Sequence, residues 1–218
     1  MNHKLLSLAL VAAFTASAAA HASTATLNVT GKIVPAACTL SVIGSNEILL
    51  GNIDAAGLNV NQATKLPSQT TGLGVNCPAR KAYSLKVVDE AAASLNPLAV
   101  ATANPAALRS HGFGLGTATK NGQPVNIGAY VVSLSSAQAG NAPATMASSD
   151  DGQTWTATTL LSPGGVTQTA WTVRNQPVSA LNSTVVLSID PAIIGTNALD
   201  LSNDITLAGQ ATIELFYL

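Results

Sequence analysis

In run after run of this chain, apolar residues fall at every second position, and Gly, Pro, Asn or Asp cuts each run off after a few residues. Tyr83, Leu85 and Val87 alternate with Ser84 and Lys86. Val125 to Val132, Thr154 to Leu161, Thr167 to Val173, Ser183 to Ile189 and Ile205 to Tyr217 are further strand-like stretches. A period of two places successive side chains on opposite faces of an extended strand, and β-branched and aromatic residues suit a pleated, half-buried surface. Many short strands with turn signals about every ten residues predict an all-β antiparallel sandwich of immunoglobulin type. No repeat of fixed period is visible, which disfavours propellers and solenoids.

The local readings follow from the same signals. Leu40 with Val42, and Ile48 to Ile53, predict two short strands, followed by a polar loop from Ala55 to Ser68. Thr71 to Cys77 and Ala82 to Asp89 are expected to form an antiparallel pair, with the turn supplied by Cys77-Pro78-Ala79-Arg80-Lys81. Asn104 followed by Pro105 could cap and open a short helix over Asn104 to Arg109. Asn121-Gly122 marks a hairpin turn and Pro163-Gly164-Gly165 another turn, whereas Ser133 to Gly152, small and polar, reads as a surface loop.

Residues 1–22 carry Lys4, an apolar run from Leu5 to Ala16, and Ala20-His21-Ala22 with small residues at the cleavage positions, the pattern of a secretory signal peptide. That run is too short to span a bilayer, and no other segment approaches the necessary length, so no membrane insertion is expected. In an exported chain two cysteines most simply make one disulfide, Cys38 with Cys77, worth roughly 4 kcal/mol in the chain-entropy model. Only 9% of residues are charged and the net charge is −1, so there is no basic field for nucleic acid or for a membrane surface. So weakly charged a surface resists association poorly, which favours packing against other subunits.

Candidate chemistry is sparse. His3 and His21 fall within residues 1–22, which leaves His111 and excludes a multi-histidine metal site. No serine sits in a Gly-x-Ser-x-Gly elbow, so no catalytic residue is assigned. Asp89-Glu90 and Asp150-Asp151 lack the alternating spacing of a calcium loop and read as solvated turns; no metal or cofactor is expected. Trp155 and Trp171 could stack on a sugar but read better as core, with Trp155 the better surface candidate of the two because it follows an acidic tip.

At the N-terminus, Ala25, Leu27 and Val29 alternate with Thr24, Thr26, Asn28 and Thr30, and Gly31 then interrupts the run. Periodicity alone leaves two readings, the first strand of a closed sandwich or a detachable arm.

Gly31-Lys32-Ile33-Val34-Pro35-Ala36-Ala37-Cys38, then Ile48-Leu49-Leu50-Gly51-Asn52-Ile53, then Leu73-Gly74-Val75-Asn76-Cys77 resemble the N-terminal half of chaperone-usher pilus subunits, the pilins. Ala211-Thr212-Ile213-Glu214-Leu215-Phe216-Tyr217-Leu218 is similar to the pilins' closing strand with its penultimate tyrosine, while little matches between about residue 90 and residue 204. The resemblance implies an incomplete immunoglobulin-like sandwich completed by a donor strand. Its partition is residues 1–22 as signal peptide, 23–30 as donor-strand extension and 31–218 as the sandwich domain. It implies that Ala25, Leu27 and Val29 plug the groove of another pilus subunit, and that a periplasmic chaperone binds along Ile213, Leu215 and Tyr217 and captures the Leu218 carboxylate. An outer-membrane usher would then pass the subunit into a cell-surface fimbrium that supports adhesion. Two departures stand out: residues 23–30 are short for a donor arm, and the glycine expected before the C-terminal tyrosine is displaced, with Gly209 the nearest. The alternative class is a self-complete secreted sandwich that binds glycans through loops such as Ser148 to Trp155, and an exported hydrolase is a more distant third.

Overall fold

The computed structural model describes Thr30 and residues 37–218, so the readings for residues 1–22 and for Ala25, Leu27 and Val29 lie outside the described residues. In chain order the described strands are β1 (Thr39–Ile43), β2 (Thr64–Lys65), β3 (Gln69–Lys81), β4 (Tyr83–Asp89) and β5 (Gly112–Gly114). Then come β6 (Thr117–Lys120), β7 (Gln123–Asn126), β8 (Gly128–Ala139), β9 (Ala142–Pro143) and β10 (Thr145–Ser149). The last are β11 (Thr156–Ala157), β12 (Gln168–Val173), β13 (Gln176–Pro177), β14 (Ala180–Ile193) and β15 (Ala211–Tyr217).

Two antiparallel sheets carry the fold. One runs β1-β3-β14-β8-β5, with β2 added to β14 and β9 to β8; the other runs β11-β10-β12-β4-β15, with β13 added to β12. Both faces that meet are apolar at alternate positions: Leu73, Val75, Val185 and Leu187 from the first sheet, Tyr83, Leu85, Val87 and Trp171 from the second, all buried. This is the immunoglobulin-like sandwich that the alternation predicts.

The sheets are also stitched by polar groups. The Tyr83 hydroxyl, on β4, donates to Ser183 Oγ on β14 at 2.6 Å, and Trp171 Nε1 donates to the Thr184 carbonyl at 2.8 Å. The Tyr83 ring meets Trp171 edge-on at 5.6 Å between centroids. Cys38 and Cys77 are disulfide-bonded and tie the start of β1 to β3 beside this cluster.

Several local expectations are corrected. β3 and β4 are not a hydrogen-bonded pair: β3 pairs with β1 and β14, β4 with β12 and β15, so the chain crosses from one sheet to the other at Ala82. Cys77 to Lys81 supplies no turn, because β3 continues through it to Lys81. The helix occupies Pro97–Ala103, one Asn-Pro step earlier than expected, with Asn96 Oδ1 accepting from Leu98 N–H and Pro97 in its first turn. That register buries Ala99, Val100 and Ala103 against the outer face of the first sheet; Asn104 closes the helix instead of opening one. Ser133 to Gly152 is mostly not loop, since β8 runs on to Ala139 and β10 follows; its exposed turns are residues 141–143 and 150–151. The hairpin at Asn121-Gly122 is present, with φ of 50° and 76°, the left-handed pair that a two-residue turn of this kind requires.

Trp155 is buried, not a surface platform. Asp151 holds the preceding loop in shape: its carboxylate accepts from Thr154 N–H and Gln153 N–H and from the Ser149 hydroxyl, which keeps its pKa at about 2. The loop turns the indole back onto Ala147 and Ala170, on the outer face of the second sheet.

Candidate functional site

β1 is an edge strand of one sheet and β15 of the other, and they lie on the same side of the sandwich. At one end they touch: Cys38 N–H donates to the Tyr217 hydroxyl at 2.7 Å. Away from that contact an open groove of about 1490 Å³ runs between the chain that continues β1 and the chain that precedes β15.

Each flank of the groove is extended chain with alternate apolar residues turned inward. On one side Ile48, Leu50 and Ile53 are half-buried while Leu49 is 72% exposed. On the other, Ile205, Leu207 and Ile213 are half-buried while Asp204, Thr206 and Thr212 are exposed. Between the flanks lie core residues of both sheets, among them Val87, Val132 and Leu187, with Leu161 from the chain after β11. Ile48 to Ile53, expected as a strand, enters no ladder among the described residues; neither does Ile205 to Leu207, although β15 pairs with β4 from Ala211 onward. Backbone donors and acceptors in that condition need a partner, and an extended segment laid in the groove would meet both flanks.

The displaced glycine has a steric role here. A Cβ at Gly209 would stand 2.7 Å from Tyr130 Cε1 and 3.0 Å from the Gly114 carbonyl oxygen, so the strand can pass over the Tyr130 ring only without a side chain at 209. Tyr130 is itself fixed by stacking on Phe113 at 4.8 Å, and burial, with the nearby Asp89 charge, holds its hydroxyl protonated well above the usual tyrosine range.

The expected binding edge divides by position. Ile213 and Leu215 face inward opposite Val87 and Leu85, and Ile213 lines the groove. Tyr217 is 52% exposed and its hydroxyl holds the end of β1, while Leu218 is exposed and its N–H donates to the Ala82 carbonyl. Sequence reasoning missed the contact between Tyr217 and Cys38; no local signal encodes it.

Among the described residues no nucleophile, base and third group come together as a catalytic constellation. His111 accepts from Leu108 N–H at Nδ1, and burial lowers its pKa. Among the described residues no group of three or more His, Cys, Asp or Glu is placed to hold a metal ion, and no helix is long and apolar enough to cross a membrane.

An immunoglobulin-like sandwich with a disulfide at the root of its first strand and a groove between its two edge strands is the architecture of a subunit that associates with others. The chain matches the fimbrial protein family over residues 27–187, and it belongs to that family as a pilin, a structural subunit of the surface fimbrium. No curated protein matches it significantly.

Proposed function

We propose that the chain polymerises by donor-strand exchange, the N-terminal extension of one subunit filling the groove of the next. The observation that carries this reading is the groove itself, flanked on both sides by extended backbone outside any ladder and by alternate inward apolar residues. Strand addition to an exposed sheet edge, of which chaperone–pilin complexes are a standing example, takes its affinity from main-chain hydrogen bonds and its register from alternate side chains.

In this reading residues 1–22 are a signal peptide removed on export, residues 23–30 form the donated strand, and residues 31–218 form the body. A periplasmic chaperone first supplies the missing strand, docks along Ile213, Leu215 and Tyr217 and holds the Leu218 carboxylate. An outer-membrane usher then exchanges the chaperone for the next subunit's Ala25, Leu27 and Val29, and the fibre carries adhesion without catalysing any reaction.

The test uses the faces of the arm. Leu27→Asp puts a carboxylate into an apolar groove at a desolvation cost of several kcal/mol, whereas Thr26→Asp points away in the same register. Cells expressing Leu27→Asp are expected to accumulate chaperone-bound subunit without fibres, and those expressing Thr26→Asp to make fibres. Loss of folding before chaperone binding in Leu27→Asp would mean that the strand belongs to its own sandwich.

A further inference from the structure

The net charge of −1 conceals a strong segregation that the strand directions make visible. β3 ends and β4 begins at one end of the sandwich, where Arg80 and Lys81 are exposed; β12 ends there too, with Arg174 exposed in the turn that follows. No acidic side chain among the described residues lies at this end, and its one negative group is the Leu218 carboxylate. Cys38 sits here as well, beside Tyr217, so this is the end at which the N-terminal extension joins the body in sequence.

The opposite end, where β1, β4 and β14 finish and β15 starts, holds the acids. Glu47, Asp54 and Asp204 are exposed and line the mouth of the groove, and Glu90 and Asp200 are exposed nearby. Of the cations on this half of the molecule, Lys65 is paired with Asp190 at 3.4 Å, Lys120 donates to the Asn197 carbonyl and offsets the charge of Asp200, and Arg109 lies beyond α1. Among the described residues no salt bridge neutralises the acids at the groove mouth, nor Arg80, Lys81 or Arg174 at the other end.

We propose that the two ends are complementary docking surfaces for a second copy of this chain: the basic end of one subunit settles on the acidic groove mouth of the next. The proposal rests on the strand-donation reading and adds to it a determinant of assembly outside the groove. An arm that runs antiparallel to β15 leaves the groove at the acidic end, and residues 31–37 then span at most about 23–25 Å to Cys38. That short link brings the donor's Arg80, Lys81 and Arg174 onto Glu47, Asp54 and Asp204 of the acceptor. Opposite rim charges of this kind act mainly on encounter, raising association rates about tenfold to a thousandfold at low salt and losing the effect as salt screens them.

The experiment compares the purified chain with the reversal Arg80→Glu/Lys81→Glu/Arg174→Glu, the reversal Glu47→Lys/Asp54→Lys/Asp204→Lys, and an equimolar mixture of the two. Assembly rate is followed by light scattering between low and high salt. Each reversal alone should assemble roughly tenfold or more slowly than wild type at low salt, with the gap closing at high salt. The mixture, in which a reversed base meets a reversed mouth, should recover much of the rate. Equal rates for all proteins at low salt, or slow assembly of a single reversal that persists at high salt, would overturn the proposal. A synthetic peptide of residues 23–30, which carries no charged side chain, keeps the two readings apart: it should enter the groove of wild type and of the basic-end reversal equally. Failure of the peptide to bind wild type would count against strand donation, while sedimentation of the same proteins would still show whether opposite ends attract.

Discussion

Replacing Tyr83 with Phe removes one hydroxyl and keeps the ring that packs edge-on against Trp171. The hydroxyl donates to Ser183 Oγ at 2.6 Å, and both residues are 2% exposed, so no water can replace the lost partner without rearrangement. A buried polar group left unpaired costs about 1–3 kcal/mol, whereas removing both partners of a buried pair can be nearly neutral. Tyr83→Phe and Ser183→Ala should therefore each destabilise the oxidised chain by about 1–3 kcal/mol, while the double variant should lose well under the sum. For a domain of this size each kcal/mol moves the thermal midpoint by about 2–4 °C, so each single variant should melt roughly 2–12 °C below wild type. Thermal and urea unfolding of the four proteins close the cycle. Strictly additive losses would mean that the hydroxyls do not pair across the two sheets, and that the facing of β4 on β14 is wrong.

Two further outcomes are expected. Cys38→Ser removes the link between the start of β1 and β3 and should cost about 2–5 kcal/mol, seen as a lower urea midpoint and a reduced yield of folded protein, with both thiols oxidised in wild type by mass. Asn96→Ala should cost about 1–2 kcal/mol in the same assay, because Asn96 Oδ1 caps α1 at Leu98 N–H while its Nδ2 donates to the Asn126 carbonyl at 2.9 Å.

Where alternation is strict the sequence was legible: Tyr83, Leu85 and Val87 share the buried face, and the hairpin at Asn121-Gly122 forms. Pairing was not legible, because a strand that turns into a hairpin and one that crosses to the opposite sheet bury the same alternate residues; β3 and β4 do the second. The second half of β8 was hidden for a different reason. Ser133 faces Asn104 and Asp190 beneath the helical segment, so a half-buried position that bonds to both carries a polar residue, and only Leu134 and Ala137 mark the core side. The helix was misplaced because Asn-Pro occurs at both 96–97 and 104–105, and only tertiary burial of Ala99, Val100 and Ala103 chooses between them. Both flanks of the groove showed as apolar runs, yet a period of two says nothing about whether a strand has a neighbour. The segregation of Arg80, Lys81 and Arg174 from Glu47, Asp54 and Asp204 emerges only when strand directions are known.

The claim that the groove awaits a strand is tested most directly by amide hydrogen exchange on the purified chain with and without the peptide of residues 23–30. A strand seated in the groove must bond to both flanks, so amides within residues 48–53 and 205–207 should gain protection together, while those of the β6–β7 hairpin stay unchanged. Protection of one flank alone, or of neither at peptide concentrations that saturate the chain, would contradict the account.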